Sequence, residues 1–258
     1  MAQTIAVLSQ KGGTGKTTTV RTLADVLGPI GVKVLAVDLD PQGNLSDYLD
    51  VPPESEPTIA DVLAGRATAT EAIHRNVIPA SLNLAETELM LGGKMGREMT
   101  LRRSLQELRE EYEIVLVDCP PSLGLLTVNA LVAADYALVT AEAQYFALQG
   151  VEQAMEVIEV ARDSLNDELA LVGVLLNLAD MRTVHSREAK VSLEERFGEK
   201  VFDTVVRSSI AYAESAERAV SILDHRPDLG ADYVALTDEL LGRLPGMAAP
   251  RARLASLR

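Results

Sequence analysis

Apolar and polar positions follow two periods along this chain. Short, nearly unbroken apolar runs rich in Val, Ile and Leu occur at TIAVLS (4–9), VKVLAVDLD (32–40), YEIVLVDCPP (112–121), YALVTAEA (136–143) and ALVGVLLNL (170–178). Between the first two runs, Val20, Leu23, Ala24 and Leu27 recur at helical spacing and stop at Gly28-Pro29. That is a strand–helix–strand unit, and strands without polar alternation are those covered on both faces. The pattern predicts an α/β fold, a doubly wound, mostly parallel sheet with helices on both faces.

The pattern weakens over 50–95, where DVPPESEPT reads as a Pro/Glu loop and IADVLAG as a short helix. GREMTLRRSLQELREEYE (96–113) predicts one charged amphipathic helix leading into the next strand. No internal repeat or low-complexity segment interrupts the chain. The expected organisation is a single domain over 1–245 and a basic C-terminal tail over 246–258.

Composition narrows the class. At 258 residues, 47% hydrophobic and a mean hydropathy of +0.10, the chain can bury a full core, and with no Trp that core is aliphatic. The single cysteine, Cys119, excludes a disulfide framework and reads as a small core residue. Met1-Ala2-Gln3 is too short for a secretory signal, and no uncharged apolar run approaches the ~20 residues that cross a bilayer. A cytoplasmic location is expected. The net charge of −14 argues against a generic basic nucleic-acid binder. The excess acid lies in residues 1–179, however. Residues 180–258 hold 12 basic and 13 acidic groups, so any polyanion contact belongs there.

The chemistry begins in SQKGGTGKTTT, Ser9 to Thr19, directly after the first apolar run. Gly12, Gly13 and Gly15 allow backbone N–H groups to curl around phosphate oxygens where a Cβ would block approach. Lys16 supplies charge to the β- and γ-phosphates, the Thr17 hydroxyl suits Mg2+, and Thr14 and Thr18 complete the cradle at the start of a helix. Two features depart from an ordinary phosphate loop: Gln10 stands where a glycine is usual, and a second lysine, Lys11, precedes Gly12. Asp118, at the end of Ile114-Val115-Leu116-Val117, suits the Mg2+ carboxylate. Asp38 and Asp40 end another apolar run two residues apart, which puts them on one face of a strand. With Pro41-Gln42-Gly43-Asn44 behind them they read as a hydrolysis loop in which Asp40 orients water. His74, His185 and His225 have no ligand spacing.

KGGTGKTTT, VDLDPQGN, VDCPPSLGLLTVNAL and AEAQYFALQG resemble, in order and spacing, the ParA/Soj partition ATPases of the deviant Walker-A (MinD/ParA) class. The likeness runs through GEKVFDTVV (198–206). It implies a P-loop NTPase fold, ATP and Mg2+ as ligands, and a homodimer formed on ATP with nucleotide between two subunits. In that arrangement Lys11 reaches the partner's phosphates and joins Lys16 and Asp40 as a catalytic group. The resemblance further implies a ParB-like centromere-binding partner, non-specific DNA binding by the ATP dimer, and a nucleoid-associated protein. An N-terminal helix-turn-helix extension, found in larger plasmid members, is not expected here.

The chain departs from that family in two places. NLADMRT keeps Asp180, Arg182 and Thr183 but has Asn177 in place of the usual threonine. VRSSIAYAESAE puts Arg207 and Ser209 at the adenine-reading positions and Ala211 where an arginine of the DNA surface is usual. Asn177 offers an amide to adenine, and Arg182 survives at a DNA-contacting position. Arg187, Lys190, Arg196, Lys200, Arg207 and Arg218, or Arg251, Arg253 and Arg258, are further DNA candidates by region. Tyr145 and Phe146 read as packing residues, possible at a dimer edge. RARLASLR places Leu254 and Leu257 at helical spacing but is short for a membrane helix, so membrane attachment is not expected. Three alternatives remain open: an ATPase positioning a protein cargo, a MinD-like membrane-associated ATPase, and an amidoligase-type synthase.

Overall fold

A computed structural model describes all residues except Pro53, Tyr145 and Arg258. The readings placed on Tyr145 and Arg258 lie outside the described residues. Among those described, six parallel strands form one sheet in the order β3-β2-β4-β1-β5-β6. β1 (Gln3–Leu8), β2 (Val34–Asp38), β4 (Ile114–Asp118), β5 (Tyr136–Glu142) and β6 (Ala170–Asn177) are the five apolar runs. β3 (Val77–Ile78) was not foreseeable from periodicity, since two residues cannot display one.

Each strand divides its side chains between two cores. Ile5, Val7, Leu116 and Leu138 pack under α1 (Lys16–Leu27) and the C-terminal helices. Leu8, Val37, Val117 and Val139 face the opposite layer of helices. Both faces are buried, which is why these strands carry no polar alternation. The chain runs from β1 outward to β2 and β3, returns to β4 between β2 and β1, then crosses to β5 and β6 on the other side of β1. The loop after β1 therefore opens at the switch point of the sheet, where ligands of such folds bind at the strands' carboxyl ends.

The intervening helices are α2 (Asn44–Tyr48), α3 (Ile59–Ala64), α4 (Asn83–Leu91), α5 (Thr100–Leu105), α6 (Leu125–Ala133), α7 (Ala147–Ser164) and α8 (Val184–Phe197). α9 (Ala211–Glu217), α10 (Ile222–His225), α11 (Pro227–Arg243) and α12 (Ala248–Arg253) complete the chain. The single helix expected over 96–113 is instead broken into a short 3-10 turn at Arg97–Met99, α5, and a second 3-10 turn at Glu107–Glu110. The break brings Arg109 onto Asp135 at 2.7 Å and its carbonyl onto the Ala2 N–H at 2.6 Å.

After 245 the chain packs against the fold through Leu254. Met247 and Leu254 are buried against α11 and α1, and Arg251 pairs with Asp238 at 3.0 Å. Gly242 makes room for this docking, because a Cβ there would stand 2.7 Å from the Arg251 guanidinium. No helix among the described residues is long and apolar enough to cross a membrane.

Candidate nucleotide-binding site

The loop between β1 and α1 is held by hydroxyl and amide groups behind it. Thr14 donates to Ser9 at 3.0 Å and pairs with Thr140 of β5 at 2.9 Å. Ser9 in turn bridges the Lys11 carbonyl and N–H, at 3.0 and 3.2 Å. Asn177, fully buried at the end of β6, donates to the Thr14 carbonyl at 3.1 Å and lies 3.4 Å from the Thr19 hydroxyl. Its oxygen accepts the Leu178 N–H at 2.8 Å. In this conformation the Asn177 amide therefore braces the loop from behind.

The backbone turns through left-handed residues at Gly13 (φ 75°) and Gly15 (φ 80°). A Cβ at Gly15 would stand 2.3 Å from the Asn177 amide nitrogen, so only glycine fits. Over Gly13 the space is open for 4 Å among the described residues. α1 begins at Lys16 with no side-chain cap, leaving its first N–H groups facing the same opening. These features suit a phosphate chain.

Lys16 is buried, and its ammonium donates to the Lys11 carbonyl at 3.3 Å. Burial pulls its pKa down, opposed first by the charge of Asp118. Asp118 is completely buried, and neither carboxylate oxygen has a normal hydrogen-bond partner among the described residues. Burial, reinforced by the neighbouring Asp38, pushes its pKa well up, while the nearby Thr17 hydroxyl works the other way. A buried carboxylate left orphaned beside a hydroxyl and an ammonium is costly unless a cation completes it. The arrangement fits Mg2+, which takes few protein oxygens and completes its shell with phosphate and water.

Asp38 and Asp118 are in-register neighbours at the ends of β2 and β4. Asp38 is also buried, and its pKa is pushed up to about 6 by burial, against the pull of hydrogen bonds from Ser46. β2 stops at Asp38, so Asp40 does not share its strand face as the sequence suggested. It sits in the turn that follows, nearly buried, with one carboxylate oxygen accepting the Gln42 N–H at 3.0 Å. Cys119 is buried and its thiol is pushed up by burial and by Asp118, in keeping with a core residue.

Lys11 faces away from its own cradle. Its exposed ammonium pairs with Glu142, the last residue of β5, at 2.8 Å and lies 3.2 Å from Gln144. Beside it is a cleft of about 230 Å³ lined by Gln10, Thr140 and the first turns of α7. A second cleft of about 550 Å³ lies between Leu178, Asp180 and Thr183 on one side and Phe146 and Glu142 on the other. Ser208 lines it, whereas the side chains of Arg207 and Ser209, the two residues expected to read adenine, are engaged elsewhere. Arg207 is tied to Asp232 at 2.9 Å and to the Asp228 carbonyl, and the Ser209 hydroxyl accepts the Ala211 N–H. Phe146 is 69% exposed, not packed in the core.

Several of the basic residues considered for DNA are engaged by the chain's own groups. Arg182, 91% exposed at its side chain, grips Asp180 with two hydrogen bonds and holds the Asp180 pKa down at about 2. Arg196 pairs with Glu152 at 3.2 Å and Lys190 with Glu194 at 3.6 Å. Arg187 and Lys200 donate to backbone carbonyls, and Arg253 lies over Gly31.

A glycine cradle at a helix N-terminus, a buried lysine and an orphaned carboxylate on the adjacent strand define a phosphate-loop NTPase. Residues 2–171 match the family described as an AAA domain. Among curated proteins, the Bacillus subtilis sporulation initiation inhibitor protein Soj is 36% identical over 93% of this chain and 98% of its own length. The Caulobacter vibrioides chromosome partitioning protein ParA is 37% identical over 93% of this chain and 94% of its own. A Mycobacterium smegmatis structure described as cobyrinic acid a,c-diamide synthase with bound ADP and magnesium superposes with a TM-score of 0.77. It is 36% identical and covers 87% of this chain and 95% of that one. The chain belongs to the ParA/Soj family of partition ATPases.

Proposed function

We propose that this chain is an ATP- and Mg2+-dependent switch that dimerises on ATP, binds DNA non-specifically in that state, and serves chromosome or plasmid segregation. A ParB-like partner would stimulate its hydrolysis. The backbone of 12–18 and the start of α1 hold the phosphates, with Lys16 neutralising their charge. Thr17 and Asp118 would hold Mg2+, which supplies further charge neutralisation between the phosphates. Asp40 orients the attacking water. Lys11 acts in the partner's site, where a comparable cationic finger contributes on the order of 10³–10⁵ in rate. Asn177 backs the cradle, and the cleft beside Leu178 and Ser208 offers a place for the base.

The observation that carries the two-subunit reading is the position of Lys11: its ammonium is parked on Glu142 at 2.8 Å, outside its own phosphate cradle. A cytoplasmic, nucleoid-associated location follows from this reading. The test is ATPase activity with DNA and a ParB-like protein, alongside Lys16→Ala, which should abolish nucleotide binding.

A second reading keeps the switch and replaces DNA segregation by the positioning of a protein cargo. The internal pairing of Arg182, Arg196 and Arg207 favours it. Exposed pairs of this kind are screened by solvent, so phosphates can displace them. Binding to random DNA with ATP across a salt series decides: a slope near zero means no phosphate contacts. The membrane reading loses support because Leu254 is buried. A synthase drawing ammonia from a cysteine nucleophile fits poorly, because this chain's one cysteine is buried with a raised pKa.

A further inference from the structure

Two stretches of the chain, β2 with the loop into α2 and the connection between β3 and α4, meet at one hydroxyl. The Ser46 N–H and hydroxyl, in α2, donate to the same Asp38 oxygen at 2.9 and 2.7 Å. The other Asp38 oxygen accepts the Asp40 N–H at 3.2 Å. The Ser46 oxygen in turn accepts the Ala80 N–H, at 3.0 Å, from the connection between β3 and α4. The Asp38 carboxylate thus clamps both ends of the 40–46 loop, and the Ser46 hydroxyl fixes that clamp to a separate, ordered part of the fold. Ser46 is 6% exposed, so these bonds do not compete with bulk water.

We infer that Ser46 is a positioning residue for hydrolysis: its hydroxyl joins the end of β2 to the β3–α4 connection and so sets where Asp40 stands. The inference rests on the proposed reading of Asp40 as the group that orients water. Among the described residues, the hydrogen bond of the Asp40 carboxylate is local, to Gln42 two residues away. On its outer side the loop borders a cleft of about 360 Å³ lined by Gln42, Ser46 and Ala80. Once the hydroxyl is removed, the loop has space to relax into. A displacement of about 1 Å at such a group costs on the order of 10²-fold in rate. Nucleotide affinity, in contrast, is set by the 12–18 loop and Lys16, which Ser46 does not touch. Because Ser46 lines the cleft, a threonine has room for its extra methyl while keeping the hydroxyl.

The experiment compares steady-state ATP hydrolysis and equilibrium ATP affinity for the parent, Ser46→Ala, Ser46→Thr, Asp38→Asn and Asp40→Ala, each below its melting temperature. Ser46→Ala should lower kcat about tenfold or more with ATP affinity within about twofold, and Ser46→Thr should restore the rate. Asp38→Asn should also be slow, because an amide offers one acceptor oxygen where the carboxylate offers two. The Ser46→Ala/Asp38→Asn double variant should be no slower than the slower single one, the mark of two groups acting as a unit. A Ser46→Ala protein that hydrolyses at the parental rate while Asp40→Ala is inactive overturns the inference and leaves the ATPase reading standing. So does a Ser46→Ala protein whose only change is a lower melting temperature, or a Ser46→Thr protein as slow as Ser46→Ala. An Asp40→Ala protein with parental activity overturns both.

Discussion

Lys11 and Glu142 form a 2.8 Å ion pair at the mouth of the phosphate loop, linking the residue that sets this loop apart to the end of β5. The pair keeps the lysine's charge clear of its own cradle while the subunit is alone. In the proposed two-subunit reading, Lys11 has to release Glu142 before it can reach the other subunit.

Glu142→Gln should therefore lower the ATP concentration at which dimers form, by about two- to fivefold, the range expected of an exposed pair worth up to ~1 kcal/mol. Light scattering across an ATP titration reads this directly. An unchanged midpoint would mean that Glu142 does not hold Lys11 back.

The paired acids Asp38 and Asp118 give Mg2+ binding a pH dependence. Both carboxyl groups have raised pKa values in the metal-free fold, so the stability this represents is fully present below the unfolded value near 4. It is lost as pH rises through about 6, where Asp38 becomes charged. Mg2+ at this pair must displace the protons that burial holds there, so its binding strengthens as pH rises. The thermal shift produced by Mg2+ with ADP should be larger at pH 7.5 than at pH 5. Equal shifts would argue against a cation at Asp118.

Gly15→Ala places a Cβ 2.3 Å from the Asn177 amide in a backbone conformation with φ 80°. The left-handed conformation alone costs about 1–2 kcal/mol for a non-glycine residue. Removing the Asn177 side chain as well, in Gly15→Ala/Asn177→Ala, should cost less than the sum of the two single changes, because the clash is shared. Melting temperatures of the four proteins test this, and simple additivity would contradict it.

Cys119 is buried with its thiol pKa raised, first by burial and then by Asp118. It should resist a thiol reagent at pH 8 in the native protein and react fully in denaturant. Rapid native labelling would show that the end of β4 opens far more than a core strand should.

Much of this site was readable in the sequence because phosphate binding demands contiguous chemistry. Gly13, Gly15, Lys16 and Thr17 must follow a strand and start a helix, and Asp118 follows an unbroken apolar run. What escaped was set by long-range contact. Asn177 braces Thr14 from 163 residues away, and nothing near it in the chain signals that role. Ser46 looks like any polar residue on a short helix until Asp38 and Ala80 close around it. The helix expected over 96–113 breaks because Asp135 recruits Arg109 from outside the segment. Leu254 and Met247 dock part of a segment that the sequence showed only as a basic tail.

The account stands on two subunits closing over shared nucleotide with Lys11 in the opposite cleft. Its most direct test is the solution mass of the parent, Asp40→Ala and Lys11→Ala proteins, each saturated with ATP and Mg2+. The expected result is a stable Asp40→Ala dimer, a transient parental dimer that decays as ATP is consumed, and a Lys11→Ala protein that binds ATP yet stays monomeric. Monomers throughout, with Lys11→Ala hydrolysing ATP at the parental rate, would contradict it.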